Sequence, residues 1–213
     1  PRWLQQPNLH LLGLFLLGVL LYANTFGHDY AQDDAIVITE NAYTQQGLQG
    51  LPGIFGNDTF FGFFRDKSKA RLVSGGRYRP LSVATFALEY SLFGESPRLS
   101  HIVNAFLYGA CGVVIYLVMV QLFIGSSPLR RAWLPLITTL LFVTHPIHTE
   151  AVANIKGRDE ILALLGALGG LYFAMRAIRS QRPALLHGLG AFCLFLGMLS
   201  KENAFTFVGV IPL

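Results

Sequence analysis

Charge is scarce in this chain. Asp, Glu, Lys and Arg make up 13% of its 213 residues, against about 25% in ordinary soluble domains, and mean hydropathy is +0.48. That composition excludes a soluble globular domain and points to an integral membrane protein. Cysteine is almost missing: Cys111 and Cys193 both lie inside apolar runs. No CxxC or zinc-type spacing is present, so they read as packing residues and not as a disulfide. No basic run interleaved with aromatics occurs, which removes nucleic acid as a partner despite a net charge of +4. There is no HExxH, so a metalloprotease is not indicated. No small-residue cleavage site follows residues 9–26, so that run reads as a first span and not as a signal peptide. No internal repeat is visible.

Acids are missing from one side of the apolar runs. Those runs read as spans at about 9–26, 102–124, 133–145, 161–177 and 184–199, with a sixth starting at 204 and running to 213. A single helix over 185–213 carrying a Lys–Glu pair is the alternative for the last two. If the chain crosses each time, the stretches 1–8, 125–132 and 178–183 share one side. With Arg176 at a span end they hold Arg2, Arg130, Arg131, Arg176, Arg179 and Arg182 and no acid. Such stretches read as cytoplasmic. All twelve acids and the other ten basic residues then face the extracytoplasmic side. The spans from 133 onward are short, which places their outer charges around a water-filled cavity at membrane depth, because a lipid-facing charge costs roughly 2.5–3.5 kcal/mol. The expected fold is an all-α integral membrane bundle with a large first extracytoplasmic loop, 27–100. Within it, residues 47–64 read as an interfacial segment. Residues 81–93 read as a horizontal amphipathic helix with Leu81, Ala84, Leu88 and Leu92 on one face.

Five groups on that side carry candidate chemistry. Asp33 and Asp34 are adjacent acids just after the first span, and either can serve as general base while the other orients the acceptor, binds a metal or tunes its neighbour. The bland reading is a helix N-cap. Arg77 and Arg79 bracket Tyr78 before Pro80, and their planar donor forks suit phosphate oxygens. The upstream Arg65, Lys67, Lys69 and Arg71 read as a solvated loop. His145, His148 and Glu150 have a spacing that suits metal ligation or hydrogen bonding across helices. Lys156 and Arg158, followed by Asp159 and Glu160, open the fourth span, where the helix N-terminus adds positive potential for a phosphate. Lys201 and Glu202 interrupt the apolar run, with Lys201 expected to pair with Glu202 or to contact an anionic lipid. The sequence names no cofactor; ligand types for a divalent metal are present at Asp33–Asp34 and around His148 and Glu150, without a complete set.

Taken in order, these segments resemble the transmembrane O-mannosyltransferase family that carries tetratricopeptide repeats, with wording at 154–160 closest to bacterial members. The matching pieces are Asp33-Asp34-Ala35-Ile36, Tyr78-Arg79-Pro80-Leu81-Ser82, Thr85-Phe86-Ala87-Leu88-Glu89-Tyr90, Phe93-Gly94, His101 with Asn104, His145 to Val152, Gly157 to Glu160, and Lys201-Glu202. The resemblance implies a GT-C glycosyltransferase fold of which residues 1–213 are the N-terminal part. It implies a polyprenyl-phosphate or dolichyl-phosphate sugar donor, typically mannose, and a protein Ser or Thr acceptor. Transfer occurs with inversion. Asp33 or Asp34 is then the base, and Arg77, Arg79, Lys156, Arg158 and Lys201 are the donor-phosphate residues. His101, His145, His148, Glu150, Asp159, Glu160 and Glu202 are supporting residues. A bacterial inner membrane is expected over the endoplasmic reticulum. A transporter or flippase for an anionic lipid or solute is the competing class, since it too uses charges at membrane depth.

Overall fold

Proline marks where the long helices start. A computed structural model describes residues 7–66, 69 and 77–211; Arg2, Lys67, Arg71 and the last two positions of the sixth run lie outside them. Helices α1 (Pro7–Leu21), α2 (Pro80–Phe93), α3 (Pro97–Leu122), α4 (Pro128–Val143) and α6 (Pro183–Ser200) all open on proline, whose missing N–H is unneeded in a first turn. Helix α5 (Arg158–Ala177) starts after a tight turn at Ile155–Gly157. Ser96 caps α3, its hydroxyl accepting from the Leu99 N–H at 3.3 Å. Gly94 ends α2 at φ 71°, a conformation that favours glycine. No strand occurs among the described residues. The all-α membrane class expected from composition is the one observed.

By length and apolarity, Pro97–Leu122, Ile155–Ala177 and Pro183–Ser200 can cross a membrane. Helices α1 and α4 have 15 and 16 residues, or about 22–24 Å at 1.5 Å per residue. Helix α4 begins earlier than its apolar run and takes Arg130 and Arg131 into its first turn. Helix α6 stops at Ser200; Lys201 is extended (φ −159°, ψ 142°), and a 3₁₀ turn, Glu202–Thr206, follows. One continuous helix over 185–213 is therefore not what forms.

Helix α3 is the hub, packing against α1, α4 and α5, while α5 and α6 form the tightest pair. That tightness comes from glycine: a Cβ on Gly166 would stand 2.6 Å from the Gly197 backbone. Such close approach supplies the packing that drives helix association in lipid. The bundle core gathers Tyr22, Ala105, Tyr108, Cys111, Val143, Val152 and Ile161. Cys111 is buried and Cys193 half-buried, both as thiols.

The first loop has a core of its own, built from Val37, Ile38, Ile54, Val83, Phe86, Ala87 and Ile155. This corrects two expectations. Residues 47–64 are not only a surface layer, since Ile54 and Phe60 are buried. In α2 the buried face is Ser82, Val83, Phe86 and Ala87, whereas Leu88 and Leu92 of the expected stripe are exposed. Leu81 and Ala84 of that stripe are half-buried, Ala84 packing against the loop core, so the helix turns only the C-terminal half of the stripe outward. The sequon at Asn57-Asp58-Thr59 is also part of this fold. The Asn57 amide donates to the Gly53 carbonyl at 3.0 Å, and the Thr59 hydroxyl accepts from the Arg79 N–H at 3.0 Å.

Candidate active site

The backbone gives the adjacent acids different surroundings. Gln32 sits in the left-handed region at φ 44°, an unusual place for a non-glycine residue, and a single π turn, Ala35–Thr39, follows the acids. Such turns recur at functional sites. Asp34 points inward and is 2% exposed. Its two oxygens accept from the Ala31 N–H at 2.9 Å and the Lys156 N–H at 2.8 Å. Burial raises its carboxyl above the usual aspartate range, against the lowering effect of those two N–H groups. Asp33 points outward, about half exposed, and pairs with Lys156 Nζ at 2.8 Å. Lys156 thus meets both acids, one through its main chain and one through its side chain.

A second cluster joins the first loop, α5 and the turn after α6. Arg79, 6% exposed, donates to Asp159 Oδ2 at 2.7 Å and holds Glu202 with two bonds, at 2.6 and 3.0 Å. Burial lowers the proton affinity of this guanidinium, but Glu202 and Asp159 outweigh it, and the net shift is upward. Glu202 is pulled below the usual glutamate range, chiefly by its hydrogen bond to Arg79. Lys201 pairs with Glu160, which also accepts from the Asn203 amide at 3.1 Å. The expected Lys201–Glu202 pair does not form. With Lys201 extended, side chains 201 and 202 leave on opposite sides of the chain, one toward Glu160 and the other toward Arg79.

Part of these clusters borders a cavity of about 680 Å³, whose lining takes in Lys156 and Arg79 but not their partners Asp33, Asp34 and Glu202. Arg77, Arg79, Lys156, Asp159, Glu160, Lys201 and Asn203 give it polar lining, and Tyr108, Phe142, Ile147, Ile161, Leu164, Ala167 and Phe207 give it apolar lining. Arg77 also lies over the Phe60 ring, 5.5 Å from its centroid.

Arg158 stands elsewhere. It is 0% exposed and does not line the cavity. It pairs with Glu89, donates to Asn104 Oδ1 at 2.7 Å and to the Ser100 carbonyl at 3.1 Å, and lies 4.1 Å from the Phe86 ring centroid. Every face of the guanidinium is used inside the protein, which is what a buried charge needs. Asn104 in turn donates to the carbonyls of Asn154 and Ile155. Glu89 was the missing element in the sequence reading. An acid three residues after Phe86, with its side chain only 14% exposed, requires a cation.

The histidines do not assemble a metal centre. His145 caps the turn after α4, its Nδ1 accepting from the Ile147 N–H at 3.2 Å. His148 stacks on Phe142 with centroids 4.2 Å apart, and burial lowers its proton affinity. His101 is buried edge-on to His28 at 6.0 Å. Glu150 lines the cavity. Among the described residues no three His, Cys, Asp or Glu side chains converge as a metal site, so the ligand types seen at Asp33–Asp34 and near His148 and Glu150 form no set.

The chain is similar to proteins named protein O-mannosyl-transferase. It is 35% identical over 207 residues to TMTC1 of Homo sapiens, covering 90% of this chain and 22% of that protein. It is 34% identical over 204 residues to tmtc2 of Xenopus laevis (91% and 22%), and 31% identical over 208 residues to TMTC4 of Homo sapiens (91% and 27%). The chain therefore spans about a quarter or less of the length of these relatives. No family model matches, and no solved structure does.

Proposed function

We propose that this chain forms the base-bearing and donor-binding part of an inverting membrane glycosyltransferase of the O-mannosyltransferase family. The reaction moves a sugar, mannose by the names of the relatives, from a polyprenyl-phosphate to a protein Ser or Thr hydroxyl. The single observation that carries the reading is the cavity's double lining. A donor with a phosphate head and a polyprenyl tail needs cationic groups beside an apolar trough, and Arg77, Arg79, Lys156 and Lys201 stand beside Phe142, Ile161, Leu164 and Phe207.

In this reading Asp33 is the base. Its carboxylate is the accessible one of the pair, and it reaches the cavity rim through Lys156. The acceptor hydroxyl gives its proton to Asp33 as its oxygen attacks the anomeric carbon. The bond from that carbon to the phosphate oxygen breaks on the opposite face, and the lipid phosphate leaves toward the basic residues. Asp34 is a clamp that fixes the acid loop to the turn before α5. Arg158 is a strut and not a phosphate ligand. The acid-free arginine stretches support an extracytoplasmic active face, periplasmic in a bacterial inner membrane.

The test is transfer of radiolabelled sugar from a panel of polyprenyl-phosphate donors by the full-length protein in membranes. Label on protein Ser/Thr with wild type, and its loss in Asp33→Asn with insertion intact, is the expected result. Full transfer by Asp33→Asn removes the base assignment. Movement of the donor across the bilayer without acceptor labelling favours the transporter class.

A further inference from the structure

Arg79 has no vacancy for a phosphate. Its fork already holds a carboxylate with two parallel bonds at 2.6 and 3.0 Å, the geometry in which arginine also grips phosphate oxygens. The two acids around it are unlike. Asp159 is 7% exposed, enclosed, and sits at the start of α5. Glu202 is 68% exposed and comes from a 3₁₀ turn that follows the break at Lys201. Asp159 is the fixed counterion, and Glu202 the replaceable one.

We propose that Glu202 is an internal stand-in for the donor phosphate, displaced when the lipid phosphodiester binds and returning to eject the lipid phosphate after transfer. This rests on the donor proposed above. Charge counting supports it. Arg79, Asp159 and Glu202 together carry a single net negative charge. A phosphodiester is a monoanion, so exchanging it for Glu202 leaves that charge unchanged. Transfer breaks the bond from the anomeric carbon to the phosphate oxygen and forms one to the acceptor oxygen. The acceptor proton goes to Asp33, and the lipid is left as a phosphate monoester. That monoester is a dianion above its second ionisation, about pH 6. It places a second negative charge against Asp159 in a mostly enclosed site, whereas Glu202 restores one. Displaced but still tethered beside Arg79, the Glu202 carboxylate repels the dianion more than the monoanion, so it disfavours the doubly charged product more than the singly charged substrate.

The experiment compares equilibrium binding of two probes to the full-length protein in detergent. One is a short-chain polyprenyl-phosphate mannose and the other the matching polyprenyl phosphate, above its second ionisation. Glu202→Gln is expected to bind both more tightly, with the larger gain, roughly tenfold, for the monoester. In turnover, KM and kcat should fall together as product release slows. Unchanged or weaker binding of both probes overturns the proposal and leaves Glu202 a structural tie. Asn203→Ala loosens the same turn from Glu160 without touching Arg79. If it tightens binding as much as Glu202→Gln, mobility of the turn and not the carboxylate is responsible, and the proposal fails. Should Glu202→Gln not fold, Glu202→Asp keeps the charge on a shorter reach, and a smaller gain in the same direction is required. The failures are separable. Probe binding that responds as stated, without sugar transfer to protein, sinks the transferase reading and not this one; normal transfer with an unresponsive Glu202→Gln does the reverse.

Discussion

Replacing Arg158 with methionine separates a strut from a ligand. The substitution keeps the unbranched apolar stem but removes the guanidinium, with its charge and its contact with the Phe86 ring. Glu89, with a side chain only 14% exposed, then loses its cation, and Asn104 Oδ1 and the Ser100 carbonyl lose donors. Breaking a buried pair from one side costs about 3–5 kcal/mol. Adding Glu89→Leu removes the stranded charge and should recover about 1–3 kcal/mol through coupling. The assay is unfolding of the full-length protein in mixed micelles with rising denaturing detergent, read by labelling of Cys111, which is 0% exposed in the folded state. A loss within about 0.5 kcal/mol, as for a surface position, combined with loss of polyprenyl-phosphate binding, would refute the strut assignment and return Arg158 to the donor site.

Further outcomes follow from the same geometry. Asp33→Asn should lower transfer by about 10²–10⁴-fold, the usual range for losing a general base, with unfolding unchanged; Asp34→Asn should instead lower stability, since an amide oxygen cannot replace both carboxylate acceptors. Lys156→Ala should reduce transfer while the Asp34 clamp persists, because that bond uses the Lys156 main chain, and Lys156→Arg should restore part of it. Gly166→Leu should destabilise by at least about 1–3 kcal/mol through overpacking against α6, read as early unfolding in the same micelles. Glu202 has a depressed carboxyl, so its contribution to stability is complete above the ordinary glutamate range and is lost as pH falls through its lowered value. Glu202→Gln should flatten that acid limb of the stability profile.

The helices were legible because apolar runs and prolines announce them; Pro80 and Pro183 stand one residue ahead of the expected starts, whereas Pro97 and Pro128 open α3 and α4 five residues before the apolar runs at 102 and 133. What sequence could not separate was the setting of neighbouring residues. Asp33 and Asp34 are chemically the same, and only a left-handed Gln32 and the Lys156 N–H make one a clamp and the other an accessible carboxylate. Lys156 and Arg158 are two residues apart and equally basic, yet one borders the cavity and the other is sealed against Glu89. Lys201 and Glu202 look like a pair and are not, because an extended residue turns them apart. Each of these distinctions depends on a partner remote in sequence.

That remoteness has a consequence for biosynthesis. The Asp34 clamp closes on a residue 122 positions later, and the Arg79–Glu202 grip spans 123. At ordinary synthesis rates, roughly 6–25 s separate the emergence of the two halves of each tie. Throughout that interval the nascent loop carries charged groups whose counterions do not yet exist. Its own apolar cluster, without Ile155, must hold it until α5 inserts, so a ribosomal pause before residue 156 would lengthen the time that Asp33 and Asp34 spend without Lys156.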